Sequence, residues 1–362
     1  MPIVVLDMND RRPVWAMPSW VPERIREALP EAWMLRVMEE VTDGSGDGAG
    51  RVAPAVLEAV ADADAYLGYG IAAELLRAGR RLRWVHSGAA GVGSSLTPEM
   101  LASRVVFTNS AGIHAQPIAE SVLGMILFFG RGFDFAVANQ AKGTWSTEPF
   151  YVAGAPLREL ADTTVGLVGF GGLGREIARR VAGLGSRVIA VKRTPPRDGE
   201  ANLETAAGGG TLGDRIELLH GPSGLEAVLR ESDVVVVCAP ETPETRGLLD
   251  AAALAHLKDG ALLVNVGRGK VVDEAALVAE LQAGRLRGAA LDVFAKEPLA
   301  PGHPLWGLPN VLITPHVSGV SRSFWGRQTE LILNNLARLA AGADPRDEGS
   351  GWRNVVDKRA GY

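Results

Sequence analysis

Val165-Gly166-Leu167-Val168-Gly169-Phe170-Gly171-Gly172-Leu173-Gly174-Arg175-Glu176-Ile177-Ala178 runs from a short apolar stretch through Gly-x-Gly-x-x-Gly into a segment of helical period. Each glycine has a physical reason. Gly169 permits a tight turn, Gly171 lets backbone approach a pyrophosphate, and Gly174 lets the following helix pack closely on the strand, while Gly172 and Leu173 complete the cradle at the helix N-terminus. A second apolar run at 188–191 supplies the strand, helix and strand context that this pattern needs before it is read as a dinucleotide site.

Working outward, further apolar runs lie at 3–6, 65–67, 84–85, 105–108, 234–238, 262–266, 289–293 and 311–313. Helix-period segments such as 72–77, 175–182, 225–229 and 274–281 separate many of them. The runs are uninterrupted rather than alternating, as in strands buried on both faces, so parallel sheets covered by helices are expected. A chain of 362 residues then holds two α/β domains. Residues 117–129 read as one apolar helix with Pro117 in its first turn, too short to span a bilayer and therefore a buried interdomain helix. The same helix makes a homodimer the expected assembly. Residues 324–341, with Leu331, Leu333, Leu336 and Leu339, are expected to return the chain to the first domain. Residues 42–50 and 194–213, rich in Gly and Pro, read as loops or insertions.

Composition excludes several classes of function. A net charge of −5 offers no basic surface for a nucleic-acid backbone. The single Cys238 can form neither an internal disulfide nor a cysteine-rich zinc site, and no metal is expected. Without a cationic, apolar leader at residues 1–7 or a run long enough to cross a membrane, the expectation is a cytoplasmic protein with no membrane partner. The 44 glycines stand well above average usage. Some belong to loose loops, whereas Gly91, Gly169, Gly171, Gly174, Gly267 and Gly269 fall at turns where backbone is expected to meet a ligand.

The end of the second strand of a dinucleotide fold distinguishes NAD from NADP, because an acid there bonds the ribose and a cation accommodates a 2′-phosphate. Here it reads Val191-Lys192-Arg193-Thr194, so NADP(H) is favoured over NAD(H). Polar clusters follow the carboxyl ends of later strands: Pro240 with Thr242, Gly267-Arg268-Gly269, Glu297, and Pro315-His316. Ligands bind at that edge of an open parallel sheet. Arg268, Asp292 and His316 are about one β–α unit apart, which lets them converge from neighbouring strands.

These residues resemble the D-isomer-specific 2-hydroxyacid dehydrogenases, in a glyoxylate/hydroxypyruvate reductase-like form. The matching stretches are Gly169-Phe170-Gly171-Gly172-Leu173-Gly174, Ser232-Asp233-Val234-Val235-Val236-Val237 running to Pro240 and Thr242-Pro243-Glu244-Thr245-Arg246-Gly247, Val264-Asn265-Val266-Gly267-Arg268-Gly269, Leu291-Asp292-Val293-Phe294 with Glu297-Pro298-Leu299, and Thr314-Pro315-His316. The resemblance implies a flavodoxin-like substrate domain at 1–112, an inserted Rossmann NAD(P)-binding domain at 113–320, and a return to the first domain at 321–362. It implies hydride transfer between NAD(P)H and a small 2-oxo acid to give a D-2-hydroxy acid. Arg268 would bind the substrate carboxylate and carbonyl, His316 would exchange the proton, and Glu297 would orient the imidazole. Backbone N–H groups of Gly91 and Val92 would bind the carboxylate. Pro240, Thr245, Val266, Gly267, Asp292 and His316 would join Lys192 and Arg193 around the cofactor.

Other residues carry competing readings. Arg77, Arg80, Arg81 and Arg83 can bind a phosphorylated substrate, which keeps 3-phosphoglycerate dehydrogenase as an alternative, or they form a solvated helix end. A dinucleotide-sensing corepressor or scaffold on the same fold is the non-enzymatic alternative. His86 and His114 read as structural, Cys238 as inert packing, and Phe324 and Trp325 either line the substrate pocket or pack between domains.

Overall fold

A computed structural model describes residues 1–41, 51–205, 210–347 and 349–361. The glycine-rich segment expected to be a loop at 42–50 lies outside the described residues, as do Gly208 and Gly209 of the second loose stretch. The chain forms two compact units, Met1–His114 with Val320–Tyr362, and Ala115–Gly319. The divisions fall after residues 114 and 319, where the sequence suggested 112 and 320.

The first unit holds five parallel strands: β1 (Ile3–Asp7), β2 (Met34–Val37), β3 (Ala65–Gly68), β4 (Trp84–Ser87) and β5 (Val106–Asn109). Their order, β2-β1-β3-β4-β5, is the flavodoxin-like one. Strands β1, β3 and β4 are buried at every position, whereas β2, at the sheet edge, is only partly covered. The return helix Phe324–Ala340 packs Phe324, Trp325, Ile332 and Leu336 against Val4, Leu6, Leu67 and Trp84. Phe324 and Trp325, expected to line the substrate pocket or to pack between domains, are instead core of the first unit.

Polar bonds reinforce that packing. Gln328 Nε2 donates to His86 Nε2 at 2.7 Å, which leaves the Nδ1 proton for Thr108 Oγ1 at 2.8 Å. Trp84 Nε1 donates to the same hydroxyl. A second proton on His86 would confront the Gln328 donor in a site without water contact, and burial lowers its pKa to about 3.

The second unit holds β6 (Thr164–Val168), β7 (Arg187–Lys192), β8 (Ile216–His220), β9 (Val234–Val237), β10 (Leu262–Asn265), β11 (Gly288–Leu291) and β12 (Val311–Ile313). All neighbours are parallel, in the order β12-β11-β10-β9-β6-β7-β8. The order reverses between β6 and β9, and there the crevice for a dinucleotide opens. Helix Ala115–Gly130 buries Ala119, Val122, Met125, Ile126 and Phe129 against Ile177, Ala178 and Val181 of helix Gly172–Gly183. Its apolar face is thus core of the second unit, which removes the reason for reading it as a dimer surface. The stretch read as a loop or insertion at 194–213 is followed directly by β8, a strand the sequence reading did not include. No single described helix is long and apolar enough to cross a membrane.

His86 makes the stability of the first unit pH-dependent. Its folded pKa lies below the unfolded value near 6.5, so the unfolded chain binds the extra proton and stability falls as pH drops from 6.5 toward 3. Between pH 7 and pH 5 the loss from this group is up to about 2 kcal/mol. Urea unfolding of wild type and His86→Asn at both pH values measures it: the acid-induced loss should be smaller in the variant, and equal losses would acquit His86.

Candidate active site

The Gly-x-Gly-x-x-Gly turn joins β6 to helix Gly172–Gly183, and its three glycines differ in what requires them. Gly169 has φ of +112°, where a side chain is strained. At Gly174 a Cβ would sit 2.4 Å from the Gly169 carbonyl oxygen, so helix and strand touch here only because the residue is glycine. Gly171 is different: a Cβ there meets nothing within 4 Å, and its φ of −80° is ordinary. Nothing in the protein demands glycine at 171, whereas a pyrophosphate lying on the helix N-terminus does. That N-terminus has no side-chain cap. These residues therefore fit the cofactor. Leu173 packs against the core, and Cys238, after β9, donates its thiol to the Gly169 carbonyl at 3.1 Å. Burial pushes that thiol up to about 12, which keeps it a protonated donor rather than a nucleophile.

At the end of β7, Lys192 is not a free cation. Its Nζ donates to both oxygens of Glu200 at 2.6 Å, and Arg175 Nη2 donates to the same carboxylate at 2.7 Å while lying over the Phe170 ring. Arg193 is exposed. Glu200 lies within the connection that the sequence suggested was an insertion.

The carboxyl ends of β10, β11 and β12 are aligned, with Asn265 opposite Leu291 and Leu291 opposite Ile313. Arg268, Asp292 and His316 follow at one edge, and strands about 4.8 Å apart put the outer two within an arginine's reach. Asn265 holds this turn through bonds to the Gly267 N–H and the Arg268 carbonyl. Arg268 Nη1 donates to the Gly267 carbonyl at 2.8 Å. His316 Nδ1 and Glu297 Oε2 are 2.7 Å apart, and the other Glu297 oxygen accepts the Phe294 N–H at 3.0 Å. A carboxylate only accepts, so Nδ1 carries the proton in this pair and Nε2 is left for the substrate. Half of the His316 side chain is exposed, as a proton-transfer group needs.

Asp292 is nearly inaccessible, and its oxygens accept from Thr314 Oγ1, the Val317 N–H at 2.9 Å, the Ser318 N–H at 3.1 Å and Ser318 Oγ. The sequence reading put Asp292 beside the cofactor. In the structure its carboxylate is occupied by the loop that carries His316, a residue at φ of +54°. Sequence reasoning missed this role and that of Glu274, which accepts the Ala295 N–H and pairs with His303. The signal was there for the first: hydroxyl residues stand two positions either side of His316.

After β9, the Thr245 hydroxyl donates to the Pro240 carbonyl at 2.6 Å and accepts the Thr242 N–H, closing a compact turn. Val266 is buried. Gly267 and Gly269 are demanded by the protein itself, since a Cβ would lie 2.8 Å from the Ala239 carbonyl oxygen and 1.9 Å from the Phe294 carbonyl carbon. In the first unit, Gly91 and Val92 come just after the bend at 88–90 that follows β4; among the described residues their N–H groups donate to no protein acceptor.

The sequence profile of the D-isomer specific 2-hydroxyacid dehydrogenase NAD binding domain matches residues 123–318. The chain belongs to that family. This dehydrogenase is 31% identical to the glyoxylate reductase of Pyrococcus furiosus over 333 residues, covering 90% of this chain and 91% of that one. It is 36% identical to the D-3-phosphoglycerate dehydrogenase of Mycobacterium tuberculosis over 289 residues, 79% of this chain but 51% of that protein. The structure of an NADPH-dependent glyoxylate/hydroxypyruvate reductase from Sinorhizobium meliloti, solved with NADP and sulfate, matches with a TM-score of 0.75 and 28% identity over the whole of both chains.

The contrast between glycines of this dehydrogenase is testable. Gly174→Ala should lower the melting temperature, because overpacking of this kind costs about 1–3 kcal/mol. Gly171→Ala should leave melting unchanged yet weaken nucleotide binding at least tenfold in a fluorescence titration. Equal nucleotide affinity in Gly171→Ala and wild type would remove the pyrophosphate from that turn.

Proposed function

We propose that this dehydrogenase reduces glyoxylate, hydroxypyruvate or a similarly small 2-oxo acid to the D-2-hydroxy acid, with NADPH as the preferred donor. The observation that carries the reading is the His316–Glu297 pair standing at the same sheet edge as Arg268. Bound nicotinamide supplies the hydride. Arg268 holds the carboxylate and carbonyl of the acid with a planar, permanently charged fork. His316 gives its Nε2 proton to the carbonyl oxygen as hydride arrives, and takes one back in the reverse direction. Glu297 keeps the ring oriented by accepting the Nδ1 proton.

Two cations, Lys192 and Arg175, share the Glu200 carboxylate at the adenosine end, which supports NADPH, as does the NADP-bound relative from Sinorhizobium meliloti. Two of the four arginines behind the phosphorylated-substrate alternative are already paired, Arg77 with Glu99 and Arg81 with Asp64, which weakens that alternative. The presence of one lone, buried thiol supports a cytoplasmic setting. A homodimer is supported by a different surface from the one the sequence suggested. Trp145 and Tyr151 line a hollow at helices Phe133–Ala141 and Glu148–Tyr151, with Trp145 at 96% exposure, and Phe133, Val137 and Val152 of the same stretch of chain are also exposed. Large aromatic side chains clustered in this way mark an interaction surface.

Loss of NADPH absorbance with a panel of 2-oxo acids, run beside NADH, tests the reading. Turnover on none of the acids, or a higher kcat/KM with NADH, would overturn the respective part. His316→Ala should lower kcat by about 10²–10⁴-fold. Arg268→Ala should raise KM and lower kcat together, and an unchanged KM would take Arg268 out of substrate binding. Light scattering on wild type and Trp145→Glu should show a dimer that the substitution weakens.

A further inference from the structure

Glu200 is an acidic side chain delivered to the end of β7, and it comes from the connection, eight residues beyond Lys192, rather than from the strand. Lys192 stands 23 residues after Gly169, where a dinucleotide fold that takes NAD carries an acid bonding the ribose 2′-hydroxyl. Glu200 does not replace that acid in function. Its carboxylate accepts Lys192 Nζ on both oxygens, Arg175 Nη2, and the Arg197 N–H at 2.9 Å. Those four bonds occupy the four acceptor positions of a carboxylate, so none is left for a ribose hydroxyl. The side chain is only 8% exposed, and the Lys192 ammonium holds its pKa below the usual carboxylate range.

We infer that Glu200 determines cofactor specificity by attenuating the attraction of Lys192 and Arg175 for a 2′-phosphate, so that the dehydrogenase retains use of NADH. Two effects act in this direction. Glu200 already takes two of the three Lys192 protons, for which a 2′-phosphate must compete. Its negative charge also repels a group that carries close to two of its own at neutral pH, and in a half-buried site that repulsion is screened less than at the open surface. One effect opposes: Glu200 holds two like-charged side chains together, and their release loses preorganisation. Charge repulsion acts on both phosphate charges at once, whereas the loss is limited to ordering two side chains, so attenuation wins.

The inference rests on the reading of the end of β7 as the adenosine pocket, and two mononucleotides separate it from the NADPH preference. Calorimetry with 2′,5′-ADP and with 5′-ADP isolates the 2′-phosphate without hydride transfer. Glu200→Gln, nearly the same in shape, should tighten 2′,5′-ADP about tenfold and leave 5′-ADP within about twofold. In a Lys192→Met background the same substitution should do much less, which a merely structural Glu200 would not produce. An unchanged or weaker affinity for 2′,5′-ADP in a Glu200→Gln protein that melts like wild type would overturn the inference. If Glu200→Gln melts early, Glu200→Ala read at lower temperature carries the same sign. The wild-type ratio of the two affinities tests NADPH preference by itself: a wild type that favours 5′-ADP refutes that preference, while a shift of the ratio in Glu200→Gln would still uphold attenuation.

Discussion

The central strands of the seven-stranded sheet are apolar on both faces, and that burial decides where everything else in the second unit can stand. Backbone groups inside such a sheet are paired along the ladder, and neither face has room for an ionisable side chain. Chemistry is confined to the carboxyl edge, where β6, β9, β10, β11 and β12 end together. A shared edge brings residues far apart in sequence into reach, but loops leaving it must be held by something other than the ladder. The structure holds them from below with polar groups at the strand ends: Cys238 under the Gly169 turn, Asn265 under Arg268, and Asp292 under His316.

Asp292 shows what such support must overcome. His316 occupies the left-handed region, unusual for a residue with a Cβ, and such positions cost on the order of 1–3 kcal/mol. Hydrogen bonds to a charged acceptor contribute about 1.5–3 kcal/mol each, and Asp292 accepts from a backbone or hydroxyl group on both sides of the histidine. The sum exceeds the strain. A buried carboxylate saturated in this way has no acceptor position left for a ligand, whereas His316 beside Glu297 is half exposed.

Legibility of the fold followed burial. Ten of the twelve strands among the described residues read as apolar runs, each within two residues of its observed ends, and the two edge strands among them, β5 and β12, carry no charged residue. The two that escaped notice are edge strands. Met34–Val37 contains Arg36, and Ile216–His220 contains Glu217 and His220, because one side of each faces solvent and neither run nor alternation survives in so few residues. The charged residues divided along similar lines. Arg268, Glu297 and His316 stand two to four residues beyond an apolar run, so their place at the edge was readable. Glu200 follows a run by nine residues within a connection of no period, and only folding brings it back to Lys192. The basic reading of Lys192-Arg193 was therefore incomplete: the pair was legible, and the carboxylate that partly cancels it was not.

Glycine usage carries the same lesson in a sharper form. A turn glycine is ambiguous in a sequence, since it can serve a ligand, a strained backbone or a close packing contact. Cβ placement separates these. Gly174, Gly267 and Gly269 face backbone atoms at distances no side chain tolerates, so their presence is explained before any ligand is considered. Gly171 faces open space, and a protein that folded without a cofactor would have no use for glycine there. Of the turn glycines whose Cβ positions can be compared, the one the fold leaves unexplained is the one that speaks for the cofactor, and it does so independently of the family likeness.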